Sequence, residues 1–310
     1  MDGVALGMRP QTELTLQQTL KAPISCVGIG LHSGQRVHLT LGPAQADHGI
    51  VFRRTDLGAD IPARFDFVRE SRLATALMHP DRPEVRVGTI EHLMAALGAL
   101  GVDNALVELD GPEVPILDGS ASPFAFLIDC AGVVALDAPR VEIEILRPIR
   151  LTEGDAAIEL HPAPGFVSAL QMCLSIDFAA PAIGRQTVSF CLTPESFRRE
   201  LCHARTFALA EEVEAIRAAG LGRGGSLENA VVVDGDQVLN PSGLRMADEF
   251  ARHKLLDAVG DLALAGAPIR GRFIAHRSGH ALNNRLLRAL FADRAGWRYV
   301  SEAFSAAAAA

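Results

Sequence analysis

Residues 91–101 read EHLMAALGALG, and residues 252–266 read RHKLLDAVGDLALAG. Each opens on a charged residue followed by a histidine and continues with apolar residues at helical spacing, so each predicts a mostly apolar helix. Moving outward from the first, strands are read at 14–20, 35–41 and 49–53, the helix from Thr89, a strand at 104–109, and a second helix from Ser122 as N-cap with Pro123 in its first turn. Residues 132–139 read as a small-residue linker. Outward from the second, the same order returns: strands at 141–149, 156–160 and 170–176, a helix capped by Asp248, a strand at 272–276 and a helix at 284–291. LTLGPA at 39–44 also matches IELHPA at 158–163, which points to an internal duplication. The strand matches lie 119 residues apart and the helix matches 161, so the second copy carries 42 extra residues, placed at Thr193–Val233.

Two strand-then-helix halves, 1–137 and 141–310, make an α+β fold of two pseudo-repeats with helices packed between two sheets. At 49% hydrophobic residues the chain has apolar material for two cores. If the halves pack symmetrically the two long helices meet, and His92 and His253, at matching places, face one cleft. Twenty-nine Lys and Arg against 37 Asp and Glu leave a net charge of −8, which disfavours nucleic-acid or polybasic membrane binding. Five cysteines without a CxxC pair read as reduced thiols in a cytoplasmic protein. The first fourteen residues hold no apolar signal core, and no run approaches the roughly 18 apolar residues of a membrane span.

His253 and Asp257, at i and i+4, share one helix face, and His92 supplies a third group. A hydrolytic zinc site takes three such ligands and keeps one position for water. Glu91, beside His92, suits the removal of a proton from that water. Asp261 lies one turn further along and suits the orienting of an imidazole. In HRSGHALNN at 276–284, Gly279 allows a sharp turn that exposes His280 at a strand end as a general acid. In ARTFAL at 204–209, the Thr206 hydroxyl can donate to a developing oxyanion and Phe207 offers an apolar wall. Val213 and Ile216 form a helical stripe that packs on the core or lines an acyl channel. Each feature has a plainer reading: Asp257 paired with Lys254 or Arg252, His253 a core histidine, His280 a surface loop residue. GIGLHSG at 28–34 has the wrong spacing for a dinucleotide loop and leads into a strand, GLGRGGS at 220–226 lacks the phosphate-loop lysine, and no HExxH occurs.

The combination of VGIGLHSG, TIEHLMAAL, ELDGPEVPILDGSA, ARTF, GLGRGGSLENA, LNPSGLRMADEFARHKLLDAVGDL and HRSGHALNN resembles the LpxC family, zinc-dependent deacetylases of UDP-3-O-acyl-N-acetylglucosamine in lipid A biosynthesis. The resemblance spans about Leu14 to Asp293. It implies zinc ligands His92, His253 and Asp257, with Fe²⁺ possible in the same site, and Glu91 as general base. It further implies His280 as general acid oriented by Asp261, Thr206 as oxyanion donor, Lys254 beside the substrate, and Phe207 and Arg277 on the sugar nucleotide. The 193–233 insert would form an acyl-chain passage. The implied protein is a cytoplasmic monomer acting on a small molecule, with no nucleic acid and no membrane span. Residues 78–88 and the Ala-rich tail after Phe304 carry no family block and receive no role. Two rival classes share the residues: a non-haem Fe(II) oxygenase, which also uses two His and a carboxylate, and a non-catalytic sugar-nucleotide binding protein.

Overall fold

The computed structural model describes residues 15–70, 73–165 and 169–301; Leu14 and the Ala-rich tail lie outside this range. Two five-stranded sheets dominate it. In the first, the order is Ile24–Ile29, Arg36–Pro43, Ala105–Leu109, Ile50–Arg54, Ala59–Pro62. In the second it is Ile149–Glu153, Ala156–His161, Arg272–His276, Gln171–Asp177, Arg185–Cys191. In chain order each central strand comes last of its sheet, and it runs antiparallel to the second strand of that sheet and parallel to the third. The wiring of the two sheets is therefore the same. Alternation explains the faces: Val37, Leu39 and Leu41 are buried on Arg36–Pro43 while Arg36 and His38 are exposed.

Among the described residues six α-helices accompany the sheets: α1 (Glu91–Ala99), α2 (Ser122–Ala131), α3 (Pro194–Ser196), α4 (Ala210–Ala218), α5 (Glu249–Ala263) and α6 (His280–Ala292). Only Gly98 of α1 is exposed, and α5 is buried on nearly every face. Helices buried on nearly every face sit inside a layered core, and α1 and α5 pack on each other there. Their approach is close enough that a Cβ on Gly260 would collide with the backbone carbonyl of Glu91, and one on Gly98 would sit 3.1 Å from Ala263 Cβ. Two glycines thus set how deeply the helices nest. At the far end of α6, Phe291 stacks on Phe65 (4.5 Å) and meets Trp297 edge-on (5.0 Å), and Trp297 meets Tyr299 (5.0 Å).

Several local expectations change. Residues 133–139 are a strand, not a linker, paired antiparallel with Leu16–Leu20; its valines supply β propensity that the small-residue count hid. Ser122 lies inside α2, whose N-cap is Ala121, and neither Ala121 nor Asp248 makes a side-chain cap bond. Asp248 has φ −107° and ψ 28°, and its carboxylate accepts from Arg252 Nε (2.7 Å) instead. The closing helix begins at His280, four residues before its periodic apolar run. A three-stranded sheet of Val68–Glu70, Ala76–Met78 and Arg86–Val87, which the sequence pattern does not announce, adds to these. The insert region holds α3, a wide turn at Phe197–Leu201, and a small sheet of Phe207–Leu209, Val231–Asp234 and Gln237–Val238 with α4 beside it. No described helix is long and apolar enough to cross a membrane.

Candidate active site

The nesting of α1 and α5 brings His92 and His253 together, with ring centroids 4.9 Å apart and planes nearly perpendicular. Asp257 lies one turn along α5 from His253, and its Oδ1 is 3.3 Å from His253 Nε2 and 3.5 Å from His92 Nε2. His92, His253 and Asp257 are each no more than 3% exposed. His253 Nδ1 meets the Ala204 carbonyl at 3.0 Å, so Nδ1 carries the proton and Nε2 presents a lone pair. Burial, with His92 and Lys254 nearby, drives the His253 pKa down to about 4 despite Asp257, so the ring is neutral near pH 7. Its contact with Asp257 is therefore two acceptors facing each other, and Asp257 Oδ1 has no hydrogen-bond partner among the described residues. Convergent lone pairs around a buried, unpaired carboxylate oxygen call for a cation. The spacing fits one: ligand atoms at about 2.1 Å from a tetrahedral ion lie roughly 3.4 Å apart.

The other carboxylate oxygen is already engaged. Lys254 Nζ donates to Asp257 Oδ2 at 2.7 Å. Burial works against the charge on each, yet the pairing raises the Lys254 pKa, and His253 and Lys254 together hold Asp257 well below its ordinary value. The ion pair expected as a plain alternative thus exists, and it leaves Oδ1 free to point at the histidines.

Around this cluster stand two titratable groups. Burial pushes the Glu91 carboxyl above its ordinary range, against the pull of His280 and His92. His280 Nε2 lies 3.9 Å from Glu91 Oε1 and 3.8 Å from Asp257 Oδ2. Its Nδ1 donates to Asp261 Oδ2 (2.8 Å), which Asn283 Nδ2 also reaches (2.8 Å). Burial disfavours the imidazolium, but Asp261 and Glu91 outweigh it and raise the pKa to about 9. A buried proton donor and a buried carboxyl group thus lie 3.9 Å apart beside the cluster of His92, His253 and Asp257. His280 is not exposed at a strand end: it is 6% exposed, in the first turn of α6. Gly279 is extended (φ −153°), and the left-handed turn before it is made by Arg277 (φ 51°).

Of the remaining expected residues, Phe207 packs edge-on to Phe250 (5.0 Å) and to the His253 ring (6.2 Å). Thr206 follows Ala204 in the same segment, its backbone bonded to Gly119 and Val231. Arg277 stands apart from the cluster, half-exposed, with Nη1 3.8 Å from Asp155. Sequence reasoning missed three supports. Arg205 and Glu249 form a buried pair that also accepts the Arg245 amide and ties segment 204–207 to the first turn of α5. Asn283 holds Asp261, and its place inside HALNN was the available signal. Thr75 bonds both Glu91 and Asp261 from 16 and 186 residues away, and no spacing announces it.

A cavity of about 720 Å³ runs beside α4, lined by Ile216, Ala219, Leu221, Leu73 and the rim residues Arg86 and Arg223. A larger one, about 980 Å³, lies between the C-terminal ends of α1 and α5, against Phe291, Trp297 and Tyr299, and contains none of the candidate residues. Volume alone does not locate the chemistry; the convergence of titratable groups does.

Residues 17–292 match the family model described as UDP-3-O-acyl N-acetylglycosamine deacetylase. A protein of Shewanella violacea named UDP-3-O-acyl-N-acetylglucosamine deacetylase is 47% identical over 292 residues, covering 93% of this chain and 94% of its own. One of the same name from Anaeromyxobacter dehalogenans is 48% identical over 284 residues, covering 92% and 90%.

Proposed function

This chain belongs to the LpxC family of UDP-3-O-acyl-N-acetylglucosamine deacetylases, and we propose that it carries out that hydrolysis through the paired groups of the α1–α5 cleft, with zinc held by His92, His253 and Asp257. It is an amidohydrolase that removes acetate from UDP-3-O-acyl-N-acetylglucosamine in lipid A biosynthesis. The single observation that carries the site assignment is the unpaired, buried Asp257 Oδ1 with two imidazole nitrogens aimed at it. When bound, zinc supplies a Lewis acid for the amide carbonyl and lowers the pKa of a coordinated water.

The chain's own groups do the rest. Glu91, raised by burial, is a base strong enough to take a proton from the attacking water. Thr206 donates its hydroxyl to the oxyanion that develops on the substrate carbonyl. His280 arrives protonated because Asp261 holds its Nδ1–H, and it delivers the Nε2 proton to the departing amine. Lys254 fixes the second oxygen of Asp257 and adds positive charge next to the substrate. Phe207 walls the cleft behind His253, and Arg277, beyond the cluster, meets the sugar nucleotide. The cavity beside α4, where Leu73, Ile216, Ala219 and Leu221 line part of an otherwise polar wall, serves as the acyl passage of the insert. The two halves act as pseudo-repeats, the first giving Glu91 and His92, the second His253, Asp257 and His280. The five cysteines are free thiols.

Iron in the same ligands is the alternative for the metal. Acetate release from the acylated sugar nucleotide, measured before chelation, after chelation and after adding back zinc or Fe²⁺ under anaerobic conditions, tests the proposal. Activity must vanish with the chelator and return with zinc. Acetate release that survives removal of all metal defeats it.

A further inference from the structure

Thr75 is a buried residue (2% exposed) immediately before the short strand Ala76–Met78, in a segment with no catalytic motif. Every hydrogen-bonding group it has is committed to the cleft. Its amide donates to Glu91 Oε2 (3.0 Å), and its carbonyl accepts from the amide of Ile90, the residue before α1 (3.3 Å). Its hydroxyl donates to Asp261 Oδ1 (2.5 Å) on α5. One residue therefore grips the proposed base on α1 and the carboxylate behind the proposed acid on α5.

The two contacts do different things. A carboxylate held by one donor can rotate, whereas Asp261 has Thr75 on Oδ1 and both His280 and Asn283 on Oδ2. The hydroxyl therefore fixes the plane of Asp261, and that plane fixes the direction in which the His280 ring presents Nε2. The amide, in turn, occupies Glu91 Oε2 and turns Oε1 towards His280. Threonine suits the place because its branched Cβ confines χ1, so the hydroxyl is oriented before substrate arrives.

We propose that Thr75 is a positioning residue for the deacetylation: its hydroxyl aligns the Asp261–His280 pair while its amide aligns Glu91, so that acid and base, borne by separate helices, are set in register by one side chain and its own backbone. This rests on the assignment of Glu91 and His280 given above. The two contacts can be separated by mutation. Thr75→Val keeps shape and amide but deletes the hydroxyl; Thr75→Ser keeps hydroxyl and amide; Thr75→Ala deletes the hydroxyl without a new methyl group.

The test uses the zinc-loaded enzyme, with kcat, KM and zinc content measured for these three variants and for His280→Gln. Thr75→Val and Thr75→Ala should lose about 10- to 100-fold in kcat, the usual effect of removing a group that orients a catalytic side chain, with KM and zinc content unchanged. Thr75→Ser should recover most of that loss. Wild-type kcat in Thr75→Val or Thr75→Ala beside an impaired His280→Gln overturns the role of Thr75 alone. A Thr75→Ser variant as slow as Thr75→Val also overturns it, because the hydroxyl would then not be what matters. Full turnover in His280→Gln overturns the acid assignment and the role of Thr75 with it.

Discussion

Gly260→Ala adds one methyl group at the tightest point between the two central helices. The new Cβ would lie well inside van der Waals contact with the Glu91 carbonyl, which is backbone of the first turn of α1 and cannot rotate away. Relief needs α1 and α5 to part by more than about 1 Å, since packed carbon atoms sit roughly 3.5–4.0 Å apart. Overpacking of this kind costs about 1–3 kcal/mol. For a chain of this size that corresponds to a fall in Tm of roughly 1.5–5 °C. The catalytic cost should be greater in proportion, because Glu91 and His92 ride on α1 while His253 and Asp257 ride on α5. A misplacement of about 1 Å is enough to cost on the order of 10² in rate. The assay is steady-state acetate release together with a thermal melt, with Gly42→Ala as control, where the added Cβ meets only Leu106 O at an ordinary 3.6 Å. Wild-type kcat and Tm in Gly260→Ala would refute the reasoning, for the helices would then not be held at the spacing their glycines permit.

Two further outcomes follow from the site's electrostatics. In zinc-free protein, side-chain NMR should show His253 remaining a neutral imidazole until pH falls to about 4 and His280 remaining an imidazolium up to about 9. Because the His280 pKa is raised on folding, its contribution to stability is full below the ordinary value near 6.5 and is lost as pH rises through about 9; titration of His280 at or below 6.5 contradicts this. Glu249, wholly buried beside Arg205, carries a pKa below its ordinary 4.5 because Arg205 and two backbone amides outweigh the cost of burial. Its stabilisation is present above that ordinary value and lost as pH falls through the folded one. Arg205→Met should therefore cost about 3–5 kcal/mol at neutral pH by stranding the carboxylate, and an unchanged denaturant midpoint refutes the pairing.

What could be read from the sequence divides along a physical line. The clustering of His253 and Asp257 was legible because α5 is one continuous helix, so the spacing of His253, Asp257 and Asp261 fixes their common face whatever surrounds them. The shared cleft was legible because the two helix sequences match and a duplicated fold packs like against like. Supports that depend on chain segments crossing in space left no such trace. Thr75 reaches Asp261 across 186 residues, and the Ala204 carbonyl that sets the His253 tautomer is a backbone atom any residue could provide. The His280 expectation failed for a related reason: the positive φ fell on Arg277, not on Gly279, and so the helix began early enough to bury the imidazole. Likewise Val133–Pro139 gained its strand only from Leu16–Leu20, more than a hundred residues earlier in the chain.

The chain has a single tryptophan, and it is placed at an informative spot. Trp297 is 8% exposed, wedged between Phe291 and Tyr299 with the Arg294 guanidinium 5.9 Å above its ring. Phe291 is near the last turn of the helix that begins with His280, about 16 Å away along the axis at 1.5 Å per residue. Intrinsic fluorescence is thus a built-in gauge of the far end of the acid-bearing helix, needing no label. A variant that loses turnover while its tryptophan emission stays as in the wild type has been disturbed in the cleft, with the seat of that helix intact.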